Sequence, residues 1–190
     1  MKEKNKLYVL GFALTFALII STIGCQEAPI IYDLGQTGPA GGHIFYNKGS
    51  YSDGWQYLEA APLSTEWTLK QWGGKGTLLG GTAQDVTVGS GQANTTSIVD
   101  ALGTGDYGAK SSADLSYGGF DDWYLPSRSE LDLMYTNLSK QYIGGFSWGI
   151  YWSSSESDAD SAWAISFADG TFYNFILKDY ETRVRAIRAF

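Results

Sequence analysis

The sequence predicts an α+β domain, mostly antiparallel sheet with two short helices. Three observations predict it. The chain carries 24 Gly beside 7 Trp, 13 Tyr and 9 Phe, a pairing of large strand-formers with tight-turn residues. Large and polar residues alternate with period two over residues 54–60, 161–167 and 183–190, the mark of half-buried strands. Residues 127–139 instead show helical spacing behind a helix-start signal. With 190 residues, 44% hydrophobic and 17% charged, the chain suits one domain with a real core and is unlike a disordered chain.

The N-terminus reads as an address. Lys2, Lys4 and Lys6 precede an apolar run over residues 7–20, too short for the ~20 residues of a spanning helix but suited to a signal-peptide core. Ser21-Thr22-Ile23-Gly24-Cys25 resembles a lipobox, with Thr22 where that pattern prefers Leu. The expected organisation is therefore a lipoprotein signal peptide over residues 1–24, a lipidated tether over 25–31 and a folded domain over 32–190. Cys25 is the single cysteine, so no internal disulfide forms, and lipidation accounts for its position. The expected partner is a membrane, through Cys25. Gln26 replaces the Asp that retains lipoproteins at the inner membrane of enteric bacteria, which points to an exported chain on the outer membrane or cell surface. The net charge is -7, and loss of residues 1–24 leaves -9. So acidic a surface disfavours nucleic acid, which needs clustered Lys and Arg.

The mature chain reads as follows. His43-Ile44-Phe45-Tyr46 is a strand, Asn47-Lys48-Gly49-Ser50 a turn, and residues 54–60 the partner strand of a hairpin. Residues 64–92 are mostly loop, with one short strand at 85–88. Asn94 is a candidate N-cap for a helix over residues 95–102. Ser127-Arg128-Ser129-Glu130 has capping-box spacing, and Leu131, Met134, Tyr135 and Leu138 follow on one face. Residues 149–154 are a strand. Residues 161–167 and 171–175 pair across the Asp169-Gly170 turn. Residues 183–190 form one closing strand.

Four stretches in order carry a resemblance: Thr37-Gly38-Pro39-Ala40-Gly41-Gly42-His43-Ile44-Phe45-Tyr46, Gly118-Gly119-Phe120-Asp121-Asp122-Trp123-Tyr124-Leu125-Pro126-Ser127, Tyr151-Trp152-Ser153-Ser154-Ser155-Glu156 and Arg183-Val184-Arg185-Ala186-Ile187-Arg188. Together they resemble the Lcl C-terminal domain family over about residues 32–190. The resemblance implies a C-type-lectin-like fold and a cell-surface adhesion role, with sulfated glycans as ligand of the name-giving member. This chain lacks a Gly-X-Y collagen stalk, and its charge is wrong for a heparin-like ligand.

Several residues are candidates for ligand contact. Trp67 and Trp72, in a Gly-rich stretch, are candidates for exposed stacking on a sugar, or they cover the sheet. Trp123 and Trp152 read as core anchors. Glu156, Asp158 and Asp160 share a Ser-rich loop and are candidates for Ca²⁺ binding, for the carboxylates of a glycoside hydrolase, or for a solvated turn. Asp121 and Asp122 read as fixing the turn before Trp123. Arg183 and Arg185 either grip an anionic ligand or pair with acidic groups of the protein. His43 is the single His and lies in a strand; no Gly-x-Ser-x-Gly elbow is present. The chain therefore reads as a non-enzymatic carbohydrate- or protein-binding module without a resident cofactor or metal. A carboxylate-based glycan hydrolase and a self-associating envelope protein are the alternatives.

Overall fold

Asp53 and Gly54 turn the chain between β1 (His43–Ser52) and β2 (Trp55–Ala60). Both have positive φ, 51° and 86°, as tight hairpin turns require. The expected turn at Asn47-Lys48-Gly49-Ser50 is instead an irregularity inside β1. There Gly49 takes φ 91° and its N–H donates to Asn47 Oδ1 at 2.8 Å. The turn chemistry was real, but it bends a strand where a chain reversal was expected.

The computed structural model describes residues 30–190. The expected signal peptide, Cys25 and nearly all of the expected tether lie outside them. Residues Ile31–Phe190 form one compact unit, and no helix among the described residues is long and apolar enough to cross a membrane.

After β2 come β3 (Trp67–Lys70), α1 (Gly91–Leu102), α2 (Gly108–Ala113), α3 (Arg128–Asn137), β4 (Ile150–Glu156), β5 (Ser161–Ser166), β6 (Phe172–Leu177), β7 (Thr182–Val184) and β8 (Ile187–Ala189). One sheet has the order β1-β2-β8 and the other β3-β7-β4-β5-β6. All pairings are antiparallel except β4 with β7, where Tyr151 lies beside Arg183. The fold is α+β, as the sequence predicts.

The closing segment differs from the single strand expected. β7 belongs to the five-stranded sheet and β8 to the three-stranded one. Between them Arg185 and Ala186 are buried, and the Ala61 N–H donates to Ala186 O at 2.9 Å. Period-two alternation is the same on both sides of such a crossover, so it does not reveal the change of sheet. β6 ends the five-stranded sheet as an edge strand. Phe172, Phe175 and Leu177 on it are exposed.

The helices differ at two places. α1 begins at Gly91, before the expected cap. Asn94 therefore sits inside the helix, buried, and its amide N–H groups donate to Asp85 O at 2.7 Å and Ser154 Oγ at 3.3 Å. The strand expected at 85–88 is a turn: Asp85 Oδ1 accepts the Thr87 N–H at 2.8 Å and the Thr87 hydroxyl at 2.7 Å. These bonds to the charged form lower the Asp85 pKa. α2 is a third helix, where the sequence predicts two.

α3 starts with the capping box its sequence announces. Glu130 Oε2 accepts the Ser127 N–H at 2.7 Å, and Oε1 accepts the Gly89 N–H at 2.8 Å. A Cβ at Gly91 would lie 2.2 Å from Glu130 Oε2, so glycine there makes room for the carboxyl group. Leu131, Met134 and Leu138 of the α3 segment pack with Phe45, Leu58, Tyr151, Ile165 and Ile187 from both sheets. A second cluster gathers Trp72, Ile98, Leu125, Trp152 and Val184. Burying each such side chain contributes about 1.5–3 kcal/mol.

Burial raises the Glu130 pKa from 4.5 to about 7, against the lowering effect of its backbone hydrogen bonds. A raised folded-state pKa means that the folded protein holds the proton longer than the unfolded chain. The associated stability is full below about pH 4.5 and is lost as pH rises through about 7. Wild-type stability should therefore fall relative to Glu130→Gln between pH 4.5 and 7, by at most ~3 kcal/mol. Urea midpoints of both proteins at pH 5 and 8 measure this, and parallel profiles would refute it.

Candidate functional site

Four of the seven residues singled out as ligand contacts are buried or bound into ion pairs. Trp72 is fully buried. Its indole N–H donates to Ser153 O at 2.8 Å, and the Lys178 ammonium lies 4.8 Å from its ring centroid. Trp72 thus holds strands together and does not meet a ligand at the surface. Glu156 ends β4 and points inward. Its oxygens accept the Leu79 and Gly80 N–H groups at 2.9 and 2.8 Å, and a fully buried Lys178 at 2.6 Å. That buried pair replaces the expected loop carboxylate, because a charge removed from water needs a partner. Arg185 is buried too, and Arg183 is partly so; both reach Glu66, at 2.5 and 2.7 Å.

The remaining three are at or near the surface. Asp158 Oδ1 accepts the Asp160 and Ser161 N–H groups at 2.8 and 2.7 Å, closing a turn. Asp158 and Asp160 face solvent, so they do not converge with Glu156. Trp67 is half-buried against two core clusters. No group of three or more His, Cys, Asp or Glu among the described residues is placed to hold a metal ion. Asp122, expected to fix the turn before Trp123, instead grips Arg188 through two bonds of 2.8 Å. Trp123 and Trp152 are both buried.

A surface cleft with exposed aromatic rings lies elsewhere. A cleft of about 240 Å³ is lined by Tyr135, Ser139, Lys140, Tyr142, Trp148, Phe167 and Ala168. Tyr142 and Trp148 are 89% and 81% exposed, values that leave most of each ring available for contact. They belong to the loop between α3 and β4. Tyr142 has φ 58°, and Gly144 and Gly145 follow at 83° and 66°. A non-glycine residue in that region costs on the order of 1–3 kcal/mol, so surrounding contacts must hold the loop.

Those contacts come from the Glu66 ion pairs. Arg185 donates to Gly144 O at 3.0 Å and lies 4.4 Å from the Phe146 ring centroid. The Tyr151 hydroxyl donates to Glu66 Oε2 at 2.9 Å and accepts the Ser147 N–H at 3.0 Å. Burial, with the Glu66 charge second, pushes the Tyr151 phenol up to about 12. Phe146, Tyr151 and Phe167 pack together at centroid distances of 4.3–6.0 Å. The buried charges thus fix the base of the loop, and the loop presents two rings to solvent. Residue type could have found it: Gly144-Gly145-Phe146-Ser147-Trp148-Gly149 is as Gly-rich as the surroundings of Trp67 and Trp72.

The fold and this cleft define a compact α+β domain that displays aromatic rings from a pinned loop. The Lcl C-terminal domain family matches residues 62–188, and the chain belongs to that family. The match starts after the β1–β2 hairpin, later than the resemblance read from the sequence. No curated protein matches the chain. Among solved structures, a fimbrial protein from Bacteroides ovatus ATCC 8483 is similar at 15% identity and a TM-score of 0.52, over 71% of this chain and 36% of its own. The chain thus spans about a third of that protein's length, and the likeness is one of fold.

Truncating Glu66 to Ala should strand the buried Arg185 charge and cost about 3–5 kcal/mol. Trp148→Ala, at an exposed position, should stay within about 0.5 kcal/mol of wild type. Denaturant midpoints at constant m-value test both.

Proposed function

We propose that this chain is a non-enzymatic surface module, anchored through a lipidated Cys25, that binds a glycan in the cleft of Tyr142 and Trp148. The observation that carries the reading is the pair of rings 89% and 81% exposed on a loop pinned by buried charge. Aromatic faces stack on the apolar faces of sugar rings, and Ser139 and Lys140 supply polar groups beside them. Family membership and the fimbrial fold neighbour support a cell-surface adhesion role. The lipobox-like Cys25 supports attachment to the outer membrane or cell surface. Binding needs no cofactor, and the acidic surface turns away nucleic acid.

A glycan array probed with the detergent-solubilised full chain tests the reading. Binding should persist in EDTA and fall about tenfold in Trp148→Ala and in Tyr142→Ala, with thermal midpoints unchanged. A blank array, or binding indifferent to both substitutions, refutes it.

A further inference from the structure

Among the described residues, every Lys and Arg but two reaches a carboxylate within 4.0 Å. The two exceptions are Arg128 and Lys140. Arg128 is the first residue of α3, and Lys140 follows that helix in the wall of the aromatic cleft. In a chain of net charge -7, an arginine without a carboxylate needs an explanation.

The guanidinium of Arg128 lies 5.1 Å from the ring centroids of both Trp163 and Phe172. Its Nε is buried without a hydrogen-bond partner, and its two Nη groups are neither buried nor bonded to the described residues. Rings beside the guanidinium restrict its motion while its outer N–H groups stay open. The helix amides around it are already used. The Arg128, Ser129 and Glu130 N–H groups donate to Ser155 Oγ, Val86 O and Ser127 Oγ at 3.1, 3.0 and 3.3 Å. The helix N-terminus therefore offers no free donor, and the guanidinium is the available group. Tyr135 of the cleft follows Arg128 by two helical turns, about 10 Å along the same side of α3.

We propose that Arg128 receives a single carboxylate carried by the ligand of the aromatic cleft. This rests on the reading of that cleft as a glycan site, and its ligand is then an acidic saccharide of the uronate type. A planar fork matches a planar carboxylate through two parallel N–H···O bonds. Asp132, one turn along α3, and the acidic surface repel further negative charge. The ligand therefore carries isolated carboxylates and is no dense polyanion.

The test is a nitrogen-15 NMR titration of the full chain in detergent, following the Arg128 Nε–H resonance. The probes are trigalacturonate, its methyl ester and sodium sulfate, at matched ionic strength. Trigalacturonate should move the resonance saturably, and the ester should not. Arg128→Lys should weaken trigalacturonate binding about tenfold and leave the ester's contact with Trp148 unchanged. A still resonance, an equal response to the ester, or a larger response to sulfate overturns the assignment. If Trp148→Ala abolishes trigalacturonate binding while Arg128→Lys leaves it intact, this inference fails and the cleft reading stands. If neither substitution matters, both fail.

Discussion

The ion pair between Glu66 and Arg185 is the constraint on which the rest depends. Both side chains are buried, and Arg185 sits where the chain leaves one sheet for the other, between β7 and β8. Its remaining N–H groups reach Ala61 O and Gly144 O at 3.0 Å. One guanidinium thus touches the end of the β1–β2 hairpin, the start of β3 and the base of the cleft loop. Its geometry is specified by hydrogen bonds on several sides, the condition under which a buried charge is tolerable.

Two further buried knots follow the same pattern. Lys178 meets Glu156 and the carbonyls of Thr77 and Ala159. Arg188 meets Asp122 and, at 3.5 Å, Glu59, whose Oε1 also accepts the Gly42 N–H at 2.8 Å. Each knot ties a loop to the C-terminal strands. Loops make up much of this chain, and their backbone polar groups need partners when buried. Charged side chains supply those partners where no regular ladder can.

Local chemistry was legible in the sequence. The capping box of α3 and the Asp169-Gly170 hairpin depend on residues a few positions apart, and both stand where the spacing put them. Long-range choices were not legible. Nothing near Trp72 says that Lys178 covers its ring, and nothing near Glu156 says that a lysine 22 positions on neutralises it. An acidic Ser-rich segment looks solvated until the partner arrives from elsewhere. The cleft was not legible for a related reason: nothing near Tyr142 and Trp148 says that Arg185, 41 positions beyond Gly144, pins the base of their loop.

β6 has a consequence for how the protein behaves in a crowd. Its six residues, Phe172-Tyr173-Asn174-Phe175-Ile176-Leu177, carry neither charge nor proline, the usual guards of a free sheet edge. One irregularity in its pairing with β5 is the only device of that kind the strand itself provides. Phe175 is 65% exposed. What keeps two such edges apart is the mutual repulsion of acidic molecules, a property of the whole surface. Colloidal stability is thereby linked to proton concentration. Near the sequence isoelectric point of about 4.6 that repulsion is weakest, and the bare edge is then least guarded against pairing.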